Sequence, residues 1–250
     1  MTGRLRRAAG LVRSLAIYWR PGRQKALRRL YAPFVLPGEL VFDIGAHLGD
    51  RTAAFAGLGA RVVALEPNPH LLPWLTRLAG RREGVEVVPE AVGAEEGWAE
   101  LAVSDATPTL STLSDAWRQR IPRENPTFRG VRWERTVKVP VTTLDRLIHR
   151  YGEPSFCKID VEGHEASVLE GLSRPLEAVS LEFVAGGMEV ATRCVRRLAG
   201  LGAYDFNAIP GEGREFVHTR WMDADAMVGW LEGGAGGASS GDVYARRRDQ

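Results

Sequence analysis

The chain has 250 residues, 44% hydrophobic and 26% charged, so it can bury a full core without disulfides or a structural metal. Its two cysteines, Cys157 and Cys194, lie far apart with no Cys or His partners at zinc-ligand spacing, which excludes a disulfide framework and a zinc site. The net charge of +2 hides an asymmetry: residues 1–38 carry nine Lys or Arg and no acid, and the other 24 basic and 31 acidic side chains leave residues 39–250 at −7.

In the basic piece Leu5, Val12, Leu15, Ala16 and Trp19 fall at near-helical spacing among arginines until Pro21 and Gly22 interrupt them, which predicts an amphipathic helix. Such a helix either packs over the rest of the chain with its arginines in water, or rests on an anionic membrane surface or an acidic partner. The expected division is therefore a basic helical extension, 1–38, and one domain, 39–250. No run of about 18 apolar residues is present, and the N-terminus lacks an apolar core followed by a small-residue cleavage site. A soluble, cytoplasmic protein is expected.

From Glu39 onward short apolar runs alternate with helical segments, the pattern of βαβ units and a mainly parallel sheet. The predicted strands are Leu40–Ile44, Arg61–Leu65, Val85–Val88, Phe156–Ile159, Val179–Phe183 and Tyr204–Ile209. Residues 97–151 add two further strand-like stretches, WAELAV and RTVKVPV, around a polar Pro/Ser/Thr-containing segment expected to shape the substrate side. In TTLDRLI, Thr143 caps a helix whose Leu144, Leu147 and Ile148 face inward. A Gly/Ser-rich stretch near the end leads into DVYA, expected as a last edge strand.

The first strand ends in VFDIGAHLGD, where Asp43, Gly45 and Gly49 precede a helix. Glycines there let the backbone approach a ligand, although a glycine pair also serves simply to pack a helix on a sheet. Glu66, at the end of the second strand and about 20 residues beyond, is placed to accept hydrogen bonds from ribose hydroxyls. The three-glycine dinucleotide fingerprint is absent, and an acid inside the turn suits a cationic amino-acid moiety better than a pyrophosphate. S-adenosylmethionine, with its ammonium and sulfonium, fits this turn better than NAD.

The fourth strand ends in KIDVEGHE, with Asp160, Glu162, His164 and Glu165 just before a helix, where open parallel sheets bind ligands. Methyl transfer from S-adenosylmethionine needs an aligned acceptor and a positioned base, the latter worth roughly 10²- to 10⁴-fold. His164, with an ordinary pKa of about 6.5, is the first candidate, and Asp160 and Glu162 compete with it. Glu165 is expected only to favour the helix N-terminus, and Lys158 to pair with a neighbouring carboxylate. Asp145, Asp160 and Glu162 raise the question of a divalent ion, but no loop has a recognisable metal spacing, and no metal is assigned.

The ordered series VFDIGAHLGD, ALEPNP, VVPEAVGAEEG, VTTLDRLI, FCKIDVEGHEASVLEG and VSLEF resembles the FkbM family of methyltransferases from about Leu40 to Phe183. The resemblance implies a Rossmann-like doubly wound α/β fold with a mainly parallel seven-stranded sheet and a role in O-methylation of a sugar or other natural product. It also implies S-adenosylmethionine as cofactor, with Asp43, Gly45 and Gly49 at its methionine part, Glu66 at the ribose, and Glu90, Ala91 and Val92 along the adenine, and with His47, Pro67, Asn68 and Asp160 among the cofactor-binding residues. His47 stands where the family usually has Asn, which bears on a contact near the methionine moiety.

Two other readings compete. A nucleic-acid methyltransferase is favoured by the arginine-rich arm, but base methylation at an adenine amino group usually comes with an Asn/Asp-Pro-Pro-aromatic turn where this chain has Asp160-Val161-Glu162-Gly163, and a body at −7 repels phosphates. A non-catalytic module binding a membrane or partner through residues 1–38 predicts a degraded cofactor turn, whereas every expected element is present. Oligomeric state and acceptor are not assigned.

Overall fold

In the computed structural model, which describes residues 3–248, the chain opens with two helices, α1 (Gly3–Tyr18) and α2 (Arg23–Tyr31), broken at Pro21–Gly22 as the sequence predicts. The βαβ part follows as β1 (Leu40–Ile44), α3 (Asp50–Ala56), β2 (Arg61–Leu65), α4 (Leu72–Leu75, continued by a π turn to Gly80) and β3 (Val85–Val88). A small sheet of β4 (Ala91–Val92), β5 (Gly97–Val103) and β6 (Arg135–Thr142) comes next, with α5 (Asp115–Glu124) between its last two strands. The remainder is α6 (Leu144–Tyr151), β7 (Phe156–Ile159), α7 (Glu165–Glu170), β8 (Ala178–Val184), α8 (Met188–Leu201), β9 (Tyr204–Pro210), α9 (Ala224–Glu232) and β10 (Ser240–Arg247). Thr143 caps α6 by accepting the Arg146 N–H at 3.1 Å, and Leu144, Leu147 and Ile148 are buried.

The large sheet runs β3-β2-β1-β7-β8-β10-β9, with every pairing from β3 to β8 parallel and β10 antiparallel to both neighbours. β1 and β7 are buried at every position, as strands covered on both faces must be. Strand order reverses between β1 and β7, and the carboxyl ends of these two strands open the crevice where such sheets hold ligands.

Two expectations are corrected. The last strand is not at the edge: β10 inserts between β8 and β9, and β9 takes the edge. In α1 the packed face carries Gly10 and Ser14, with Leu11, Leu15 and Tyr18 half-buried, while Leu5 (57%) and Val12 (64%) stay exposed. Gly10 sets this orientation, because a β-carbon there would stand 2.6 Å from the Ala106 carbonyl oxygen. A helix docks closest where it has no side chain, not where it is most apolar.

Helix α2 belongs to the core. Leu27, Leu30, Tyr31 and Val35 pack with Val41, Phe55 and Phe156, and the Tyr31 ring lies 4.5 Å from Phe55 and 5.6 Å from Phe156, centroid to centroid. The core of residues 39–250 thus continues across the boundary that charge suggests at residue 38. Among the described residues no helix is long and apolar enough to cross a membrane. Leu27→Ala is expected to destabilise the chain by about 2–5 kcal/mol, measured as the shift of the urea midpoint; an unchanged midpoint would show that α2 is not part of the core.

Candidate active site

The end of β1 and the end of β7 meet backbone to backbone. Gly45 has φ +80°, and a β-carbon on it would stand 1.9 Å from the Asp160 carbonyl oxygen, so only glycine permits both the turn and the approach. The Gly45 and Ala46 N–H groups both donate to the Leu65 carbonyl, at 3.0 and 2.9 Å. The Glu66 carboxylate then closes the cradle by accepting the His47 N–H at 2.9 Å and the Asn68 N–H at 2.8 Å. Burial pushes Glu66 up to about 7, against the pull of those two bonds.

Asp43 is fully buried. One of its oxygens accepts the Thr52 hydroxyl at 2.5 Å and the other has no partner; burial raises its pKa despite nearby Lys158. Burial pushes His47 down to about 4, so its ring is neutral at pH 7. Its Nε2 is unpartnered, and its ring meets Tyr18 edge-on at 5.3 Å.

One cavity joins most of the predicted residues: Asp43, Gly45, His47, Glu66 and Pro67 line it with Glu90 and with Ala91 and Val92 of β4, and with Asp160, Glu162 and His164. Gly49 and Asn68 stand beside this wall. A β-carbon at Gly49 would meet Leu75 and Ala79 at 2.6 and 2.7 Å, so that glycine seats α3 against the α4 turn. Asn68 ties its loop together, accepting the His70 N–H at 3.0 Å and donating to the Ser111 hydroxyl at 3.1 Å.

The KIDVEGHE residues separate into distinct places. Lys158 Nζ donates to Asp160 Oδ2 at 2.8 Å. Burial alone would raise the Asp160 pKa, but Lys158 and Arg51 outweigh it and leave the group below its ordinary value. Glu165 accepts the Val161 N–H at 3.0 Å and the Gly163 N–H at 3.2 Å, so its carboxylate holds the turn, with burial pushing it to about 7. Glu162 sits in the left-handed region, φ +56°, and its carbonyl accepts the Thr112 hydroxyl at 2.7 Å. Trp117 of α5 covers the same turn, and only a glycine at 163 leaves it room: a β-carbon there would stand 2.2 Å from its ring. Burial, then Asp160 and Glu165, raise Glu162 well above a normal carboxylate.

His164 lies toward β4: a β-carbon on Gly93 would stand 3.4 Å from its Nε2, and burial lowers its pKa. Asp145 lies apart from Asp160 and Glu162, accepting the Ser173 N–H at 3.0 Å. The third carboxylate beside them is Glu182 of β8, which sequence reasoning missed. It also missed Tyr18, Arg51, Glu212 and Asp242, all on the cavity wall. Arg23, 3% exposed, ties the arm to this wall through Asp50 at 2.7 Å and Glu212 at 3.0 Å. The signal for Glu182 was a lone acid inside the apolar strand VSLEF; nothing local marks Tyr18 or Glu212.

The family profile described as "Methyltransferase FkbM domain" matches residues 43–192. A curated relative, hexuronic acid methyltransferase AglP from Haloferax volcanii, is 26% identical over 179 residues, 69% of this chain and 67% of its own. Among solved structures, precorrin-6y C5,15-methyltransferase from Geobacter metallireducens aligns at TM-score 0.48 and 11% identity over 91% of this chain and 88% of its own. Fibrillarin from Aeropyrum pernix, solved with natively bound S-adenosyl-L-methionine, aligns at 0.44 and 13% over 89% and 76%. The sheet order with its one reversed strand is that of the class I methyltransferase fold.

Gly45→Ala tests the strand-end contact: a methyl group against the Asp160 carbonyl, in a left-handed backbone, is expected to cost about 2–4 kcal/mol. Denaturant unfolding measures it, and a variant as stable as the parent would mean that the two strand ends do not touch.

Proposed function

The chain belongs to the FkbM methyltransferase family, and from that premise we propose that it transfers a methyl group from S-adenosylmethionine to a hydroxyl of a small molecule, a sugar or another natural product. The observation that carries the reading is a single cavity that joins the Gly45–Glu66 cradle to the carboxylates Asp160 and Glu162. The residues fit the cofactor. Asp43 keeps a buried oxygen without a partner, suited to an ammonium group, and Glu66 has acceptor capacity beyond its two N–H bonds, suited to ribose hydroxyls. Pro67, Glu90 and the short strand β4 offer a partly apolar wall for an adenine.

When bound, the cofactor supplies an electrophilic methyl carbon. The chain's own work is then to hold the acceptor oxygen in line and to take its proton. Asp160, kept ionised by Lys158, is the orienting group, and Glu162 in its ionised form is the proton acceptor, a carboxylate whose burial and acidic neighbours raise its affinity for a proton. His164, beside Gly93 at the β4 end, belongs to the cofactor side of this reading.

A sugar acceptor is supported by the relative named a hexuronic acid methyltransferase. Carboxylates far outnumber the cations Arg51 and Lys158 on the cavity wall, which opposes a polyanionic nucleic-acid backbone.

Calorimetric titration with S-adenosylhomocysteine is expected to show micromolar binding that Glu66→Ala abolishes, with no binding of NAD; absence of S-adenosylhomocysteine binding would defeat the reading. The same titration across pH gives a second check. Glu66 must be ionised to accept from ribose, and its pKa is about 7. Affinity is therefore expected to fall as pH drops below 7, by up to about tenfold per unit, and Glu66→Gln is expected to remove the slope.

A further inference from the structure

We propose that Asp160, Glu162 and Glu182 form a binding site for one hard divalent cation, Mg²⁺ or Mn²⁺, on the acceptor side of the cavity. One carboxylate oxygen from each of the three lies within 4.8 Å of the others. Oxygens bound trans to each other across a Mg²⁺-sized ion stand about 4.2 Å apart, and across Ca²⁺ about 5 Å, so small side-chain adjustments close the set on an ion. A cluster of acids alone does not call for a metal; the missing partners do. Glu162 is 8% exposed and its Oε2 is shut off from solvent with no hydrogen-bond partner. Glu182 Oε2 is likewise buried and unpartnered. Buried carboxylate oxygens are ordinarily paired or bound to metal.

Charge points the same way. Lys158 is the cation in contact with the cluster, and it is committed to Asp160 at 2.8 Å. With all three carboxylates deprotonated, as ligation requires, they and the one ammonium leave two negative charges, which a divalent ion balances. The site is also rigid where a ligand must be: the Glu162 backbone is fixed by the Thr112 hydroxyl on its carbonyl, and Glu165 binds the N–H groups on either side of it. The place of this ion beside a methyl acceptor rests on the function proposed above; its binding does not. There it takes the acceptor oxygen as a further ligand and lowers that hydroxyl's pKa, while the second oxygen of Glu162 stays free to receive the proton.

The test is titration of the full chain with Mn²⁺ alone, followed by loss of the six-line electron paramagnetic resonance signal of free Mn²⁺. One ion per chain is expected to bind, with Glu162→Gln and Glu182→Gln each raising Kd by about tenfold or more. Both substitutions keep side-chain volume and remove a repelling charge, so the variants are expected to fold. The melting temperature supplies an independent readout: Mn²⁺ is expected to raise it in the parent and not in either variant. A free-ion signal that persists at millimolar Mn²⁺, or binding undiminished in both variants, overturns the site. A parallel titration with S-adenosylhomocysteine separates the two ideas, since cofactor binding without manganese binding removes the ion and leaves methyl transfer standing.

Discussion

The structure depends on one close contact, the hydrogen-only face of Gly45 against the main-chain carbonyl of Asp160. It lets the first and fourth strands of the parallel sheet end at the same depth with their following loops touching. From that point the chain diverges into two functions. One loop turns through His47 and is tied to Glu66; the other turns through Glu162 and is tied to Glu165. Each turn places a non-glycine residue at positive φ and is braced by a carboxylate that accepts backbone N–H groups. The same device, used twice a few ångströms apart, holds two loops whose relative position would otherwise be set by side-chain packing alone.

The price of this arrangement is electrostatic. Asp43, Glu66, Glu162, Glu165 and Asp242 all have pKa values raised chiefly by burial. Each therefore binds protons more readily folded than unfolded, so together they make the folded state less stable as pH rises through their range. Part of the compensation comes from the far end of the sequence. Arg23, in the basic arm, is buried between Asp50 and Glu212, and its guanidinium lies 5.0 Å from the centre of the Tyr18 ring. The charge asymmetry along the chain is thus in part an internal matter: an arm rich in arginine meets a body rich in acid.

Much of this was legible in the sequence, for physical reasons that also explain what was not. The central parallel strands are short apolar runs, and burial on both faces leaves little else for them to be; the first four predicted strands match their bounds. Asp43, Glu66 and Asp160 were legible because an acid at the carboxyl end of a parallel strand sits at the crevice whatever the rest of the fold does. Glu182, Tyr18 and Glu212 were not, since their approach depends on the lateral order of strands and on how α1 lies, neither of which leaves a local pattern. Asp145, which the sequence sets beside Asp160 and Glu162 as a third carboxylate, accepts the Ser173 N–H instead, and Glu182 takes that place. The face of α1 was misjudged for a related reason: hydrophobic spacing reports where a helix is apolar, whereas Gly10 decided where it docks.

The insertion of β10 has a consequence in time. Among the described residues strand β9 has no partner strand in the sheet except β10, and its backbone also bonds Val217 and Met222, so while the polypeptide is being synthesised Tyr204–Pro210 emerges without a neighbouring strand until Ser240–Arg247 has followed it. The strands that lead into Gly45, Glu66 and Asp160 have by then been synthesised. The Gly45–Glu66 turn therefore leaves the ribosome well before the wall formed by Glu212, Gly241 and Asp242, and the cavity cannot close on that side until β10 has joined the sheet.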